Sequence, residues 1–112
     1  MENQFEMVFA IINSGYSEEV MDAVKECGAT GGTILNARGT ANTEIEKFFG
    51  ISISSEKELV MIIADQRSKY RIMNAISENC GMNSDAKGVV LSLPIDKVMG
   101  LSFTSDEEII GE

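Results

Sequence analysis

The 112-residue chain contains no histidine, which removes the commonest general base near neutral pH. Its serines and its two cysteines, Cys27 and Cys80, have no base partner in any pattern that pairs a nucleophile with its activator. Carboxylates are plentiful, but they fall on the first helical stretch, in a middle loop and in the tail, as solvated charges do. Paired-carboxylate chemistry therefore has no positional support. Two distant thiols and no imidazole leave no zinc or haem site. No catalytic residue, no metal and no cofactor is expected, and the chain does not read as an enzyme. What remains is a set of small polar residues around glycines. Gly31-Gly32-Thr33 and Arg38-Gly39-Thr40 bracket one short apolar run, and Ala86-Lys87-Gly88 opens another. Glycine lets backbone N–H groups approach a phosphate, and Arg38 or Lys87 could neutralise it. The competing reading is that these glycines only make turns and helix ends. That reading wins at Gly28 and Gly81, and both stay open at Arg38, Gly39 and Gly88. None of the three stretches is a P-loop.

The elements that must position these residues follow from periodicity. Residues 5–12 are an apolar run too short for a buried helix and read as a strand. Asn13-Ser14-Gly15 breaks it. Ser17 is placed as an N-cap, with Glu18 and Glu19 in the positive first turn and Tyr16 and Met21 positioned as a hydrophobic staple. Val20, Val24 and Cys27 give a helical stripe that Gly28 closes. Residues 33–37 are a second strand. Residues 59–64 are a continuous apolar strand. Asp65 or Ser68 caps a second helix that runs through Asn79, with Ile72, Met73 and Ile76 inward and Gly81 at its end. Residues 89–93 are a fourth strand stopped by Pro94. Residues 95–100 read as one helical turn, residues 101–103 as a brief edge strand and residues 105–112 as an acidic tail.

Between Gly39 and Ser55 no clean period survives, and residues 40–55 read as a long loop. Ile45, Phe48 and Phe49 could form a turn, and residues 51–54 alternate like a short strand. Two phenylalanines in a loop do not stay wet. Either they pack on their own or a neighbouring subunit, or they form the tip that binds a partner, together with Glu44. Long loops between regular elements are where binding is concentrated.

The order strand, helix, strand, strand, helix, strand is the ferredoxin-like βαββαβ sandwich: an α+β fold with an antiparallel four-stranded sheet and both helices on one face. Strands apolar throughout imply two buried faces, and two helices cover one. Oligomerisation through the open face is the economical answer. The same fold hosts acyl-phosphate hydrolysis, but that needs a cation between the first strand and helix, where this chain has Asn13-Ser14-Gly15-Tyr16.

The length reads as a single domain, residues 1–112. Composition is that of a soluble globular chain, 44% hydrophobic and 24% charged. A net charge of −9 without any basic stripe argues against nucleic acid and against an anionic membrane surface. The acidic N-terminus is unlike a signal peptide, so a cytoplasmic protein with two buried, reduced thiols is expected.

Four stretches then carry a resemblance: Ser17-Glu18-Glu19-Val20 through Gly28; Gly31-Gly32-Thr33 with Ala37-Arg38-Gly39; Glu58-Leu59-Val60-Met61-Ile62-Ile63-Ala64-Asp65; and Gly88-Val89-Val90-Leu91-Ser92-Leu93-Pro94-Ile95-Asp96. In this order and spacing, over nearly all of residues 7–104, the chain resembles the P-II nitrogen-regulatory superfamily. The resemblance implies a homotrimer whose inter-subunit clefts bind an adenine nucleotide. It also implies that the loop after the second strand, the T-loop, docks on a membrane transporter, metabolic enzyme or other regulator. It places Thr33, Gly39 and Thr40 on one side of the nucleotide and Lys87 and Gly88 on the other, with Arg38 a further candidate from the reading of the residues above.

Three departures narrow the expectation. Residues 40–55 hold no tyrosine, so the family's uridylylation is not available. Val89 stands where a lysine usually follows the last glycine before the fourth strand, with Lys87 two residues upstream. The arginine pair after the fourth strand is missing, and Leu101 and Phe103 occupy that region. Three phosphates would be poorly neutralised, so AMP, ADP or a cyclic nucleotide fits better than ATP with 2-oxoglutarate. The alternative is a ligand-free structural or interaction trimer.

Overall fold

The computed structural model describes residues 4–29, 31–40 and 55–100. Six principal elements run in the order β1 (Phe5–Asn13), α1 (Ser17–Val24), β2 (Thr33–Arg38), β3 (Glu56–Asp65), α2 (Lys69–Cys80) and β4 (Val89–Pro94), with a 3-10 turn, Lys25–Cys27, continuing α1. The four strands form one sheet in the order β2-β3-β1-β4. All three pairings are antiparallel. This is the expected ferredoxin-like sandwich. The turns proposed at residues 45–49 and 51–54, the edge strand at 101–103 and the tail at 105–112 lie outside the described residues.

One sheet face carries the core. Val8, Ala10 and Ile12 of β1 and Val60, Ile62 and Ala64 of β3 are buried at every second position. Val20 and Val24 of α1 and Ile72, Ile76 and Cys80 of α2 close over them. Because side chains alternate along a strand and directly paired residues share a face, the register also defines the opposite face. Leu35, Leu59, Ile11 and Val89 form one row across it; Thr33, Met61, Phe9 and Leu91 form the next; Ile63, Met7 and Leu93 form a third. Ten of these eleven side chains are apolar. Ile11, Leu35, Val89, Leu91 and Leu93 are exposed, and no described element lies over them. A patch of this extent is characteristic of an interface.

Several local expectations change. Ser17 is the first helical residue rather than the cap: the Val20 N–H donates to the Tyr16 carbonyl at 3.2 Å, so the helical ladder starts one residue earlier, and no side chain caps it. At α2 the cap position falls to Ser68, whose side chain makes no capping bond, while Asp65 acts just ahead of it, its Oδ1 accepting the Ser68 N–H at 2.8 Å. Asp65→Ala is therefore expected to cost about 1 kcal/mol and to lower Tm by roughly 4–8 °C, followed by circular dichroism on heating. Ser68→Ala should cost less; the reverse order would contradict the assignment.

Gly28 ends its turn in the left-handed conformation, φ 98°. Gly81 does not: its backbone is extended, and glycine is required there because a Cβ would strike the Ser77 carbonyl oxygen. β3 begins at Glu56, ahead of the apolar run, since the pairs Arg38–Glu56 and Ala37–Lys57 carry the hairpin beyond the core. Residues 95–100 form no helical turn. After Pro94 the Ile95 N–H still reaches the Phe5 carbonyl at 3.4 Å, which keeps the chain alongside β1.

Candidate functional site

Thr33 opens β2 and lies on the open face, opposite Met61. Arg38, Gly39 and Thr40 close the same strand. The Gly39 N–H donates to the Ser55 carbonyl at 2.8 Å, which makes a neck between the ends of β2 and β3. Lys87 and Gly88 stand just before β4, level with the end of β1, because Val89 pairs with Ile11 and the Asn13 N–H donates to the Ala86 carbonyl at 2.9 Å. The structure thus brings Arg38–Thr40 and Lys87–Gly88 to one end of the sheet, but on opposite edges. Three strand spacings separate them, about 14 Å. Within one subunit they do not meet, and Thr33 sits towards the other end of β2. Glu44, Phe48 and Phe49 lie outside the described residues.

The glycines divide by cause. Gly88 is dictated by packing: a Cβ there would strike the Cys80 carbonyl oxygen and approach Ile12 Cγ2 to 3.0 Å. Its own N–H donates to that carbonyl at 2.8 Å. The Lys87 N–H is likewise taken by the Ser84 carbonyl at 3.1 Å. Backbone donors of Gly39, Lys87 and Gly88 are thus already engaged, which leaves side chains to hold a ligand. Lys87 adopts a left-handed backbone, φ 51°, and its Nζ lies 3.5 Å from the Met82 carbonyl. This folds the ammonium back over its own loop.

That loop is tightly built. Ser84 Oγ donates to the Gly81 carbonyl at 2.7 Å and accepts the Ala86 N–H at 3.2 Å. Beside it lies a cavity of about 580 Å³ between the end of α2 and the start of β4, with Ser77, Glu78, Asn83 and Val90 in its wall. Glu78 is the only charged residue among the described residues of that lining, so its carboxylate opposes the Lys87 ammonium that lies over the loop beside it, and this half of the site is poorly suited to a multiply charged anion.

Asn13 and Glu58, with their partners Lys57 and Asp85, also belong to this end of the sheet. Asn13, read only as a strand breaker, accepts the Lys57 ammonium on Oδ1 at 2.8 Å and donates from Nδ2 to the Asp85 carbonyl at 3.1 Å. Glu58 accepts the Gly15 N–H at 3.2 Å. No local pattern signals these contacts, because the Lys57 and Asp85 partners are distant in sequence.

The thiols are free. Cys80 is buried, which pushes its thiol pKa up. Cys27 is only half-buried, against the expectation that both would be enclosed, and its Sγ lies 3.9 Å from the Ala23 carbonyl. At the far end of the sheet Lys69 pairs with Glu6 at 2.9 Å and ties α2 to β1. The Glu6 carboxylate raises the Lys69 pKa. No described helix is long and apolar enough to cross a membrane.

The family model described as Nitrogen regulatory protein P-II matches residues 5–103. The chain belongs to the P-II family. Membership makes it a regulatory signalling protein. Solved structures share the P-II fold at low sequence identity. Arabidopsis thaliana PII bound to citrate is 20% identical with a TM-score of 0.62, over 84% of this chain and 77% of that one. B. subtilis GlnK is 18% identical with a TM-score of 0.61, over 83% and 86%. A functionally unknown protein from Pediococcus pentosaceus is 16% identical with a TM-score of 0.61, over 87% and 97%. No curated protein matches the chain by sequence. At these identities the structural likeness concerns the fold alone.

Proposed function

We propose that this P-II protein acts as a homotrimer, binds a small effector in clefts between subunits and regulates a partner protein through loop 40–55. The uncovered apolar face of the sheet carries this reading, because it requires a partner surface of like character. Closing a ring through that face supplies what one subunit lacks: the β2 edge of one copy, with Thr33, Arg38, Gly39 and Thr40, stands against the β4 edge of the next, with Lys87 and Gly88. The effector class is an adenine nucleotide of low charge, AMP, ADP or a cyclic nucleotide. Engaged backbone donors and the carboxylate of Glu78 both weigh against a triphosphate. The Arabidopsis PII bound to citrate is a precedent for a small anionic ligand in this fold. The effector works by holding loop 40–55 in one of two states that bind it with different affinity. A membrane transporter or a metabolic enzyme in the cytoplasm is the kind of partner this output suits.

Calorimetric titration with AMP, ADP and ATP tests the effector. ADP or AMP is expected to bind more tightly than ATP, and Lys87→Ala to weaken binding about tenfold or more, the value of a charged hydrogen bond. No heat with any adenine nucleotide would leave the second reading, a trimer that docks its partner without a ligand. The closed hydrogen bonding of Gly39, Lys87 and Gly88 favours that alternative.

A further inference from the structure

Asn13 joins the two halves of this end of the sheet. Its backbone N–H and its Nδ2 both hold the segment before β4, through the carbonyls of Ala86 and Asp85 at 2.9 and 3.1 Å. Its Oδ1 holds the Lys57 ammonium at 2.8 Å. The carboxamide orientation is fixed by these partners, since the reverse would set an NH2 against an ammonium and an oxygen against a carbonyl. Lys57 in turn pairs with Ala37, two residues before Gly39, and its stem runs beside the space in front of Gly39, where an added Cβ would stand 3.4 Å from Lys57 Cε and 3.6 Å from Cγ. Gly39 closes the neck with Ser55. A continuous path therefore runs from loop 82–88 through the hydrogen bonds of Asn13 to Lys57, and through the pairing of Lys57 with Ala37 to the base of loop 40–55. It crosses the sheet at the level where the two edges are otherwise about 14 Å apart.

We propose that Asn13 and Lys57 form a polar relay that transmits the position of loop 82–88 to the neck of loop 40–55. The proposal rests on reading loop 82–88 as a ligand-contacting segment and loop 40–55 as the output. Asn13 is a positioning residue: it touches neither ligand nor partner and acts through Lys57. A mere strut would stabilise both ends without making either sensitive to the other. A relay makes them interdependent, and coupled residues reveal this as non-additivity.

The test uses the full chain labelled with 15N, first without ligand. Lys57→Met keeps the apolar stem and removes the ammonium. It is expected to shift the amide resonances of Asp85, Ala86 and Lys87, and that shift is expected to vanish in the Asn13→Ala background. An equal shift in both backgrounds would overturn the relay. The second arm adds ADP and reads hydrogen exchange at the Gly39 amide, which reports opening of the neck. In the unaltered protein ADP is expected to change that exchange about fivefold or more, the size of an ordinary coupling. In Asn13→Asp, which keeps an acceptor for Lys57 and loses the donor to Asp85, ADP is expected to bind as before without changing Gly39. A preserved Gly39 response there would also overturn the relay. Failure of ADP to bind the unaltered protein would overturn the nucleotide reading instead, and the ligand-free arm would still decide the relay.

Discussion

Leu91→Glu is expected to leave the protein a folded monomer that no longer binds nucleotide. Leu91 lies in the middle row of the open face, paired with Phe9, and is 36% exposed in the isolated subunit. In the monomer a glutamate there stays in water, so the fold should tolerate it and the far-ultraviolet circular dichroism should be unchanged. In a threefold assembly the same substitution appears three times at one apolar junction. Each buried, unpaired carboxylate costs several kcal/mol, and the three repel one another. Sedimentation velocity reads the outcome. Tyr70→Glu, on the helical side at 66% exposure, is the control and should leave the assembly intact. A Leu91→Glu protein that remains a trimer would place the interface elsewhere.

Gly88→Ala is expected to destabilise the protein strongly, whereas Gly39→Ala should not. Both glycines flank the same end of the sheet and both could be read as ligand-contacting. The structure separates them. At Gly88 an added Cβ collides with the Cys80 carbonyl oxygen, a backbone atom that cannot move without disturbing the end of α2, and with Ile12 Cγ2 in the core. Overpacking of this kind costs about 2 kcal/mol, roughly 10 °C in Tm for a domain of this size. The Gly88 N–H bond to Cys80, at 2.8 Å, would be strained with it. At Gly39 the nearest atom to an added Cβ is the flexible Lys57 Cε at 3.4 Å, and its φ is not in the left-handed region. Because ligand and assembly both shift Tm, the two variants are compared at equal protein concentration without nucleotide. Equal Tm values for the two would contradict the packing account of Gly88.

The contrast between these glycines shows what the sequence carried. The core strands and α2 were legible because burial imposes its period on apolar residues: 2 in Val8, Ala10 and Ile12, and helical in Ile72 and Ile76. The prediction of an uncovered face was legible for the same reason, since Met7, Phe9 and Ile11 are apolar where a solvated strand would be polar. The polar start of β3 was not. Glu56, Lys57 and Glu58 join the strand through pairing with β2 and, for Lys57 and Glu58, with β1 as well, which no local pattern reports. Ser17 has the right chemistry for a cap, yet Tyr16 takes the cap position, because the turn at Gly15 fixes where the ladder begins. Asn13 shows the limit most clearly. As a residue type after an apolar run it signals a break. Its hydrogen bonds to Lys57 and Asp85 depend on the whole sheet being assembled.

The site residues followed the same division. Arg38, Gly39, Thr40, Lys87 and Gly88 were chosen by type and by resemblance, and they do gather at one end of the sheet. Their placement on opposite edges, and the engagement of the backbone donors, came only with the fold.

Native mass spectrometry of the full chain, with and without ADP, reads the assembly and its ligand together. A mass of three chains is expected without ligand, with additions of up to three ADP molecules. A single-chain mass under the same conditions would contradict the trimer, and a trimer that takes up no nucleotide would contradict the cleft.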